Sequence, residues 1–132
     1  MEFAFPWPVT NGEWGAWISA AITVFFGLLL LFAPGLSFRI LRLRTTENHP
    51  EAVSEGRSTM AGFYLGVGLC CLLLGPQPFL YMALGFSWLF TAFGRIVSML
   101  SDRGNTVFNW ISVVLELALA LAPLGLAFGF IV

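Results

Sequence analysis

The chain has no lysine, one histidine and two cysteines, and 10% of its residues are charged against 58% hydrophobic. A soluble domain carries about 25% charged residues, so the polar surface that such a fold needs is missing. The formal net charge of −1, with only one short basic run, excludes a nucleic-acid partner. Cys70 and Cys71 stand side by side in an apolar segment. Without CxxC or zinc-ligand spacing they read as buried, inert thiols, and no cofactor is expected. The single histidine, His49, lies between Glu47 and Glu51 in "ENHPE", where Pro50 and a loop setting argue against a metal site. No Ser/His/Asp constellation and no Gly-rich phosphate loop is present. The expectation is that the protein is not an enzyme.

Long apolar runs are what the chain does have. A helix needs about 20 mostly apolar residues to cross the hydrocarbon core. Four stretches meet this, at about 17–36, 59–74, 79–100 and 106–132. Pro34-Gly35, "GPQP" at 75–78 and "SDRGN" at 101–105 supply the breaks between them. Short turns make neighbouring helices antiparallel, so the predicted fold is an all-α membrane protein, an up-down bundle of four transmembrane helices. Residues 1–16 read as an N-terminal tail and residues 37–58 as a loop. No positively charged n-region precedes the first apolar segment and no small-residue cleavage site follows a short h-region, so the segment is expected to be retained.

Arginine placement sets the expected orientation. Arg39, Arg42, Arg44 and Arg57 lie in or beside the 37–58 loop, and Arg95 and Arg103 near the turn between spans three and four. The positive-inside rule then puts both termini on the periplasmic side of a bacterial inner membrane. Trp7, Trp14 and Trp17 gather at the outer edge of span one and Trp110 near the inner edge of span four, the distribution of an interfacial belt. "LSFRILRLR" at 36–44 alternates apolar and basic residues, as an anchor or a surface helix facing anionic headgroups does.

Two features within the spans carry more information. Ser58, Gly62, Gly66 and Cys70 recur every fourth residue, a small-residue stripe of the kind that lets helix backbones approach; packing within the bundle is the expectation for it. A comparable face on span three holds Ala83, Ser87, Thr91, Gly94 and Ser98 beside Arg95.

Glu116 lies roughly 15 Å into span four, near the midplane. A carboxylate there costs on the order of 2.5–3.5 kcal/mol, so it needs a partner, a proton or a polar cavity. Helical side chains lean toward their own N-terminus, so in antiparallel spans Arg95 and Glu116 lean toward each other. Their backbone depths differ by only ~6–7 Å. They are predicted to pair, either as a clasp that fixes helix register or as the polar part of a ligand or proton site. Arg57, at the inner mouth of span two, is a candidate for the same pocket.

These residues also carry a resemblance. "RSTMAGFYLGVGL" (57–69) and "FGRIVSMLSDRGN" followed by "LEL" (93–105, 115–117) resemble the domain-of-unknown-function family 4345 of small bacterial membrane proteins. The resemblance implies a four-helix inner-membrane protein, broadly similar in layout to DoxX-like proteins. It marks Arg57, Gly62, Gly66, Gly94, Arg95 and Glu116 as motif positions and implies no activity.

Two functions from different classes fit. The first is an accessory or interaction subunit of a larger membrane complex, or a self-associating protein. It is suggested by small size and by fourteen Phe, more than four helices use internally. The alternative is a binder or carrier of a small hydrophobic molecule such as a quinone or isoprenoid, its headgroup oriented by Arg95 and Glu116. Membrane lipids are expected partners in both.

Overall fold

Thr10 starts the first helix earlier than its hydropathy suggests. Its hydroxyl accepts from the Glu13 amide at 3.1 Å, and the Glu13 carboxylate accepts from the Thr10 amide at 2.9 Å. This reciprocal capping box folds Asn11–Ala16, assigned above to the tail, into the first turns of α1 (Asn11–Phe32). The computed structural model describes residues 5–44 and 50–132. His49 and Glu47 of the "ENHPE" cluster lie outside the described residues.

Pro34 ends α1, because a proline beyond the first helical turn removes a donor and clashes with the preceding turn. Ala33 leaves the helical region (φ −133°, ψ 61°), and Pro34 then occupies the opening of α2 (Pro34–Leu41). A left-handed Arg42, φ 59°, closes this short helix.

The third helix corrects the loop boundary at 58. Residues Glu51–Leu74 form one apolar helix, α3, in which a single π turn, Gly56–Met60, joins two α-helical parts. The Ala61 amide reaches back to the Gly56 carbonyl there. The loop predicted over 37–58 is therefore largely helical at both ends.

"GPQP" makes the tight turn expected of it, with Gly75 at φ 80°, and leads into α4 (Pro78–Ser101). After the 102–106 turn the Thr106 hydroxyl caps α5 (Val107–Ala127) by accepting from the Asn109 amide. The last five residues, predicted to continue the span, instead turn back at Gly129 (φ 82°), and the Val132 carbonyl accepts from the Gly12 amide at 3.0 Å. Among the described residues there is no strand. Helices α1, α3, α4 and α5 are each long and apolar enough to cross a membrane.

Helix α1 packs on both α3 and α5, α5 packs along α4, and the α3–α4 seam is the loosest of the four. The buried core consists of Ala16, Ala20, Cys71, Tyr81, Leu84, Trp88, Leu119, Ala120 and Leu124. All lie in the half of the bundle that holds the termini. Helix backbones come close there at glycine: a Cβ on Gly85 would strike Leu124 and stand 3.0 Å from the Ala120 carbonyl, and one on Gly68 would stand 2.6 Å from Val24. Without water to drive association in a bilayer, such close van der Waals contact holds helices together.

Pro123 lies inside α5 and has no amide to give the Leu119 carbonyl. The Ser19 hydroxyl of α1 donates to that carbonyl instead, at 2.6 Å. A backbone defect is thus repaired from the neighbouring helix, as the absence of water in the hydrocarbon region requires.

The small-residue stripe does not pack within the bundle. Ser58, Gly62, Gly66 and Cys70 are exposed, as is Gly94 on α4, and a Cβ at Gly62, Gly66 or Gly94 would meet nothing within 4 Å. Helix α3 turns its other small face, Ala61, Gly68 and Cys71, inward. The stripe instead borders a groove of about 490 Å³ along the loose α3–α4 seam, with Leu80 and Ala83 on the opposite wall.

Candidate functional site

In the arginine-rich half α1 stays against α3, with Gly27 close to the Leu65 backbone, but a space opens on its other side. A cavity of about 300 Å³ opens between α1 (Phe26, Leu29, Leu30), α4 and α5, with Tyr64 of α3 at one side and Ser37, Ile40 and Leu41 of α2 closing another. Trp88 separates it from the packed core. Its indole N–H donates to the Thr23 hydroxyl at 2.8 Å, its ring stacks on Tyr64 at 5.7 Å and 11°, and Phe26 meets it edge-on at 6.1 Å.

Arg95 and Glu116 meet on this cavity's wall. Arg95 Nε donates to Glu116 Oε1 at 2.8 Å and to Oε2 at 3.1 Å, and Nη2 lies 2.7 Å from Oε1. The carboxylate side chain is 6% exposed and the guanidinium 25%, so the acid is sealed and the base faces the cavity mouth. A guanidinium fork matched to a carboxylate is the strongest form of side-chain hydrogen bonding.

Asn109, which the sequence reading did not single out, completes the cluster. Its Oδ1 accepts from Arg95 Nη1 at 2.9 Å, and its amide nitrogen donates to the Gly104 carbonyl at 2.7 Å. It lies two helical turns before Glu116 on α5, hence on the same face, and that spacing was the available signal. The short 102–106 turn thereby fixes Asn109, which fixes the guanidinium, which holds the carboxylate.

Other polar side chains on the wall have already spent their protons. The hydroxyls of Ser37, Thr91 and Ser112 donate to the carbonyls of Ala33, Ser87 and Phe108, one turn earlier in each helix. Arg42 of α2 places its guanidinium 4.8 Å from the centre of the Phe108 ring, a cation–π contact between α2 and α5 at the cavity edge.

Arg57 is not part of this site. It is exposed on the π turn and absent from the cavity wall. Cys71 is buried and its thiol donates to the Leu80 carbonyl at 3.5 Å, whereas Cys70 is exposed. Among the described residues no group of three or more His, Cys, Asp or Glu could hold a metal ion. At the opposite end Trp7, Trp14 and Trp17 form a contiguous aromatic group, with ring centres 5.9 and 5.6 Å apart.

Fold and site together define a class: a bundle of four membrane-spanning helices, packed solid at one end and, at the other, hollow around an Arg–Glu–Asn cluster. More particularly, a family model described as a domain of unknown function, DUF4345, matches residues 13–127, and the chain belongs to that family. The match spans both halves of the bundle and every member of the cluster. No curated protein and no solved structure matches the chain.

Proposed function

We propose that the protein binds one small amphiphilic molecule drawn from the membrane, with the polar end at Arg95 and the apolar part among Phe26, Leu29, Ile40, Ile111 and Leu115. The observation that carries this reading is the cavity of about 300 Å³ whose mainly apolar wall holds the Arg95–Glu116 pair. Binding sites for small molecules share this make-up, a mainly apolar hollow of roughly 300–1,000 Å³ with a few convergent polar groups. A pair that served only as a clasp would be served as well by a filled interior. In this reading the arginines at that end face the cytoplasm of a bacterial cell, and the ligand enters from the inner leaflet.

The test is native mass spectrometry of protein taken from its own membrane into nanodiscs, wild type against Ser112→Phe, which places an aromatic ring in the cavity. A small molecule retained by the wild type and lost from the variant is the expected result. Retention by both, or by neither, would overturn the reading.

The bare small-residue stripe supports a second reading, an accessory subunit that docks another membrane helix, or a second copy, in the α3–α4 groove. Gly66→Leu would then abolish a co-purifying assembly without changing the fold. An assembly that survives the change rules this version out.

A further inference from the structure

Given the binding reading above, we infer that the head of the bound molecule is uncharged and accepts hydrogen bonds: the carbonyl of a ketone, ester or quinone, not a carboxylate, phosphate or ammonium. The argument is an inventory of protons and charge on the cavity wall. Arg95 has five N–H hydrogens. Three are used, one from Nε on Glu116, one from Nη2 on Glu116 and one from Nη1 on Asn109. One therefore remains on each terminal nitrogen.

The three wall hydroxyls have given their protons to backbone carbonyls, and Trp88 has given its N–H to Thr23. Among the described residues the Tyr64 hydroxyl has no hydrogen-bond partner. The unspent donors on the wall are those of Arg95 and Tyr64, which line the same cavity, while the hydroxyl oxygens keep lone pairs of their own. A head with lone pairs satisfies them.

Charge decides between neutral and ionic acceptors. The Glu116 carboxylate already lies against the guanidinium at 2.7 Å, so the pair presents no net charge. An anionic head at Arg95 would bring a second negative group beside Glu116 in a low-dielectric setting, which is costly without a free cation at that point; the other cation at the cavity, Arg42, lies over the Phe108 ring at its edge. An ammonium would find its carboxylate already neutralised and would lie against the positive guanidinium, with only neutral hydroxyl oxygens left to accept from it. The flat face formed by Tyr64 stacked on Trp88 suits a planar carbonyl group better than a tetrahedral head.

Three probes with matched tails test this: 2-undecanone, decanoate and decylammonium, each loaded at equal mole ratio into nanodiscs and read as bound adduct by native mass spectrometry, with Ser112→Phe as the lipid background. The wild type is expected to hold the ketone at least tenfold above background and the two ions at background. Tyr64→Phe should lower the ketone adduct several-fold while leaving the Arg95–Glu116 pair intact. Glu116→Gln, which frees the guanidinium charge, should raise the decanoate adduct tenfold or more.

Should Glu116→Gln fail to fold, the wild-type ranking alone decides. Decanoate or decylammonium retained as well as the ketone overturns the inference and leaves the cavity a binding site. If none of the three rises above background, the binding reading falls with it.

Discussion

The two halves of this bundle are made from the same four helices and solve different problems. In the half with the termini, glycine and alanine bring the backbones together: Gly68 sits against Val24 and Gly85 against Ala120 and Leu124, and Leu84 and Ala120 are fully enclosed. In the arginine-rich half, Phe, Leu and Ile side chains rim a space they do not fill, and the helices are tied by a polar cluster at its edge. One half is filled, and the other keeps a hollow with charge on its wall. The ion pair joins α4 to α5, neighbours that also pack along each other, so it puts charge on the wall of the hollow without having to bridge it.

Breaking each kind of connector sharpens the contrast. The largest effect is expected from Arg95→Met, which strands the Glu116 carboxylate: about 3–5 kcal/mol of stability lost, measured by reversible unfolding in bicelles or mild detergent. Replacing both partners, Arg95→Met with Glu116→Leu, should recover most of that loss. A single variant as stable as the wild type would mean that the pair is not holding the hollow half.

Next comes the packed half. Gly85→Val drives a branched side chain into Leu124 and should cost up to about 3 kcal/mol, whereas Gly66→Val, facing open space, should change stability by no more than about 0.5 kcal/mol. Equal costs at the two glycines would erase the distinction between the inner and outer faces of α3 and α4.

A leucine pair gives the same contrast without glycine. Leu84→Ala, which empties a fully enclosed site, is expected to cost about 2 kcal/mol. Leu115→Ala, on the cavity rim and 47% exposed, should stay within about 0.5 kcal/mol. The same unfolding assay reads both.

A smaller effect than at any of the buried sites is expected at Arg42→Gln, which removes the cation–π contact to Phe108 and should cost about 0.5–1 kcal/mol. Its sharper readout is exposure: hydrogen exchange over 34–41 should speed up in the variant while α1 is unchanged. No change in exchange would mean that α2 is held by Phe38 against Gly56 alone.

Much of this was legible in the sequence because a bilayer imposes few solutions. Four apolar runs with Pro and Gly between them leave little besides a four-helix bundle, and a lone midplane Glu needs a partner that only Arg95 is placed to supply. Register was the harder matter. Helix α3 carries two small-residue faces, Ser58–Gly62–Gly66–Cys70 and Ala61–Gly68–Cys71, and periodicity alone does not say which turns inward. Spacing counted from Ser58 does put those four residues on one face, but it is the outward one.

Helix starts were missed for a different reason. Hydropathy marks where a chain becomes apolar, and hydrogen bonding marks where it becomes helical. At α1 the Thr10–Glu13 capping box moved the start by six residues. Thr23 with Trp88 was hidden because it joins residues whose proximity only the packed bundle creates, whereas Asn109 shares the face of Glu116 at a spacing the sequence does show.

The π turn has a consequence at the level of the gene. It accommodates one residue more than a regular helical turn, so deletion of one residue within Gly56–Met60 would restore an unbroken α-helix and swing Glu51–Glu55 by about 100° around its axis. Phe38 would lose its seat on Gly56, and with it α2 would lose its station over the cavity. An in-frame deletion of one codon there, of a kind that exposed turns absorb readily, would leave the membrane spans intact and open one wall of the site.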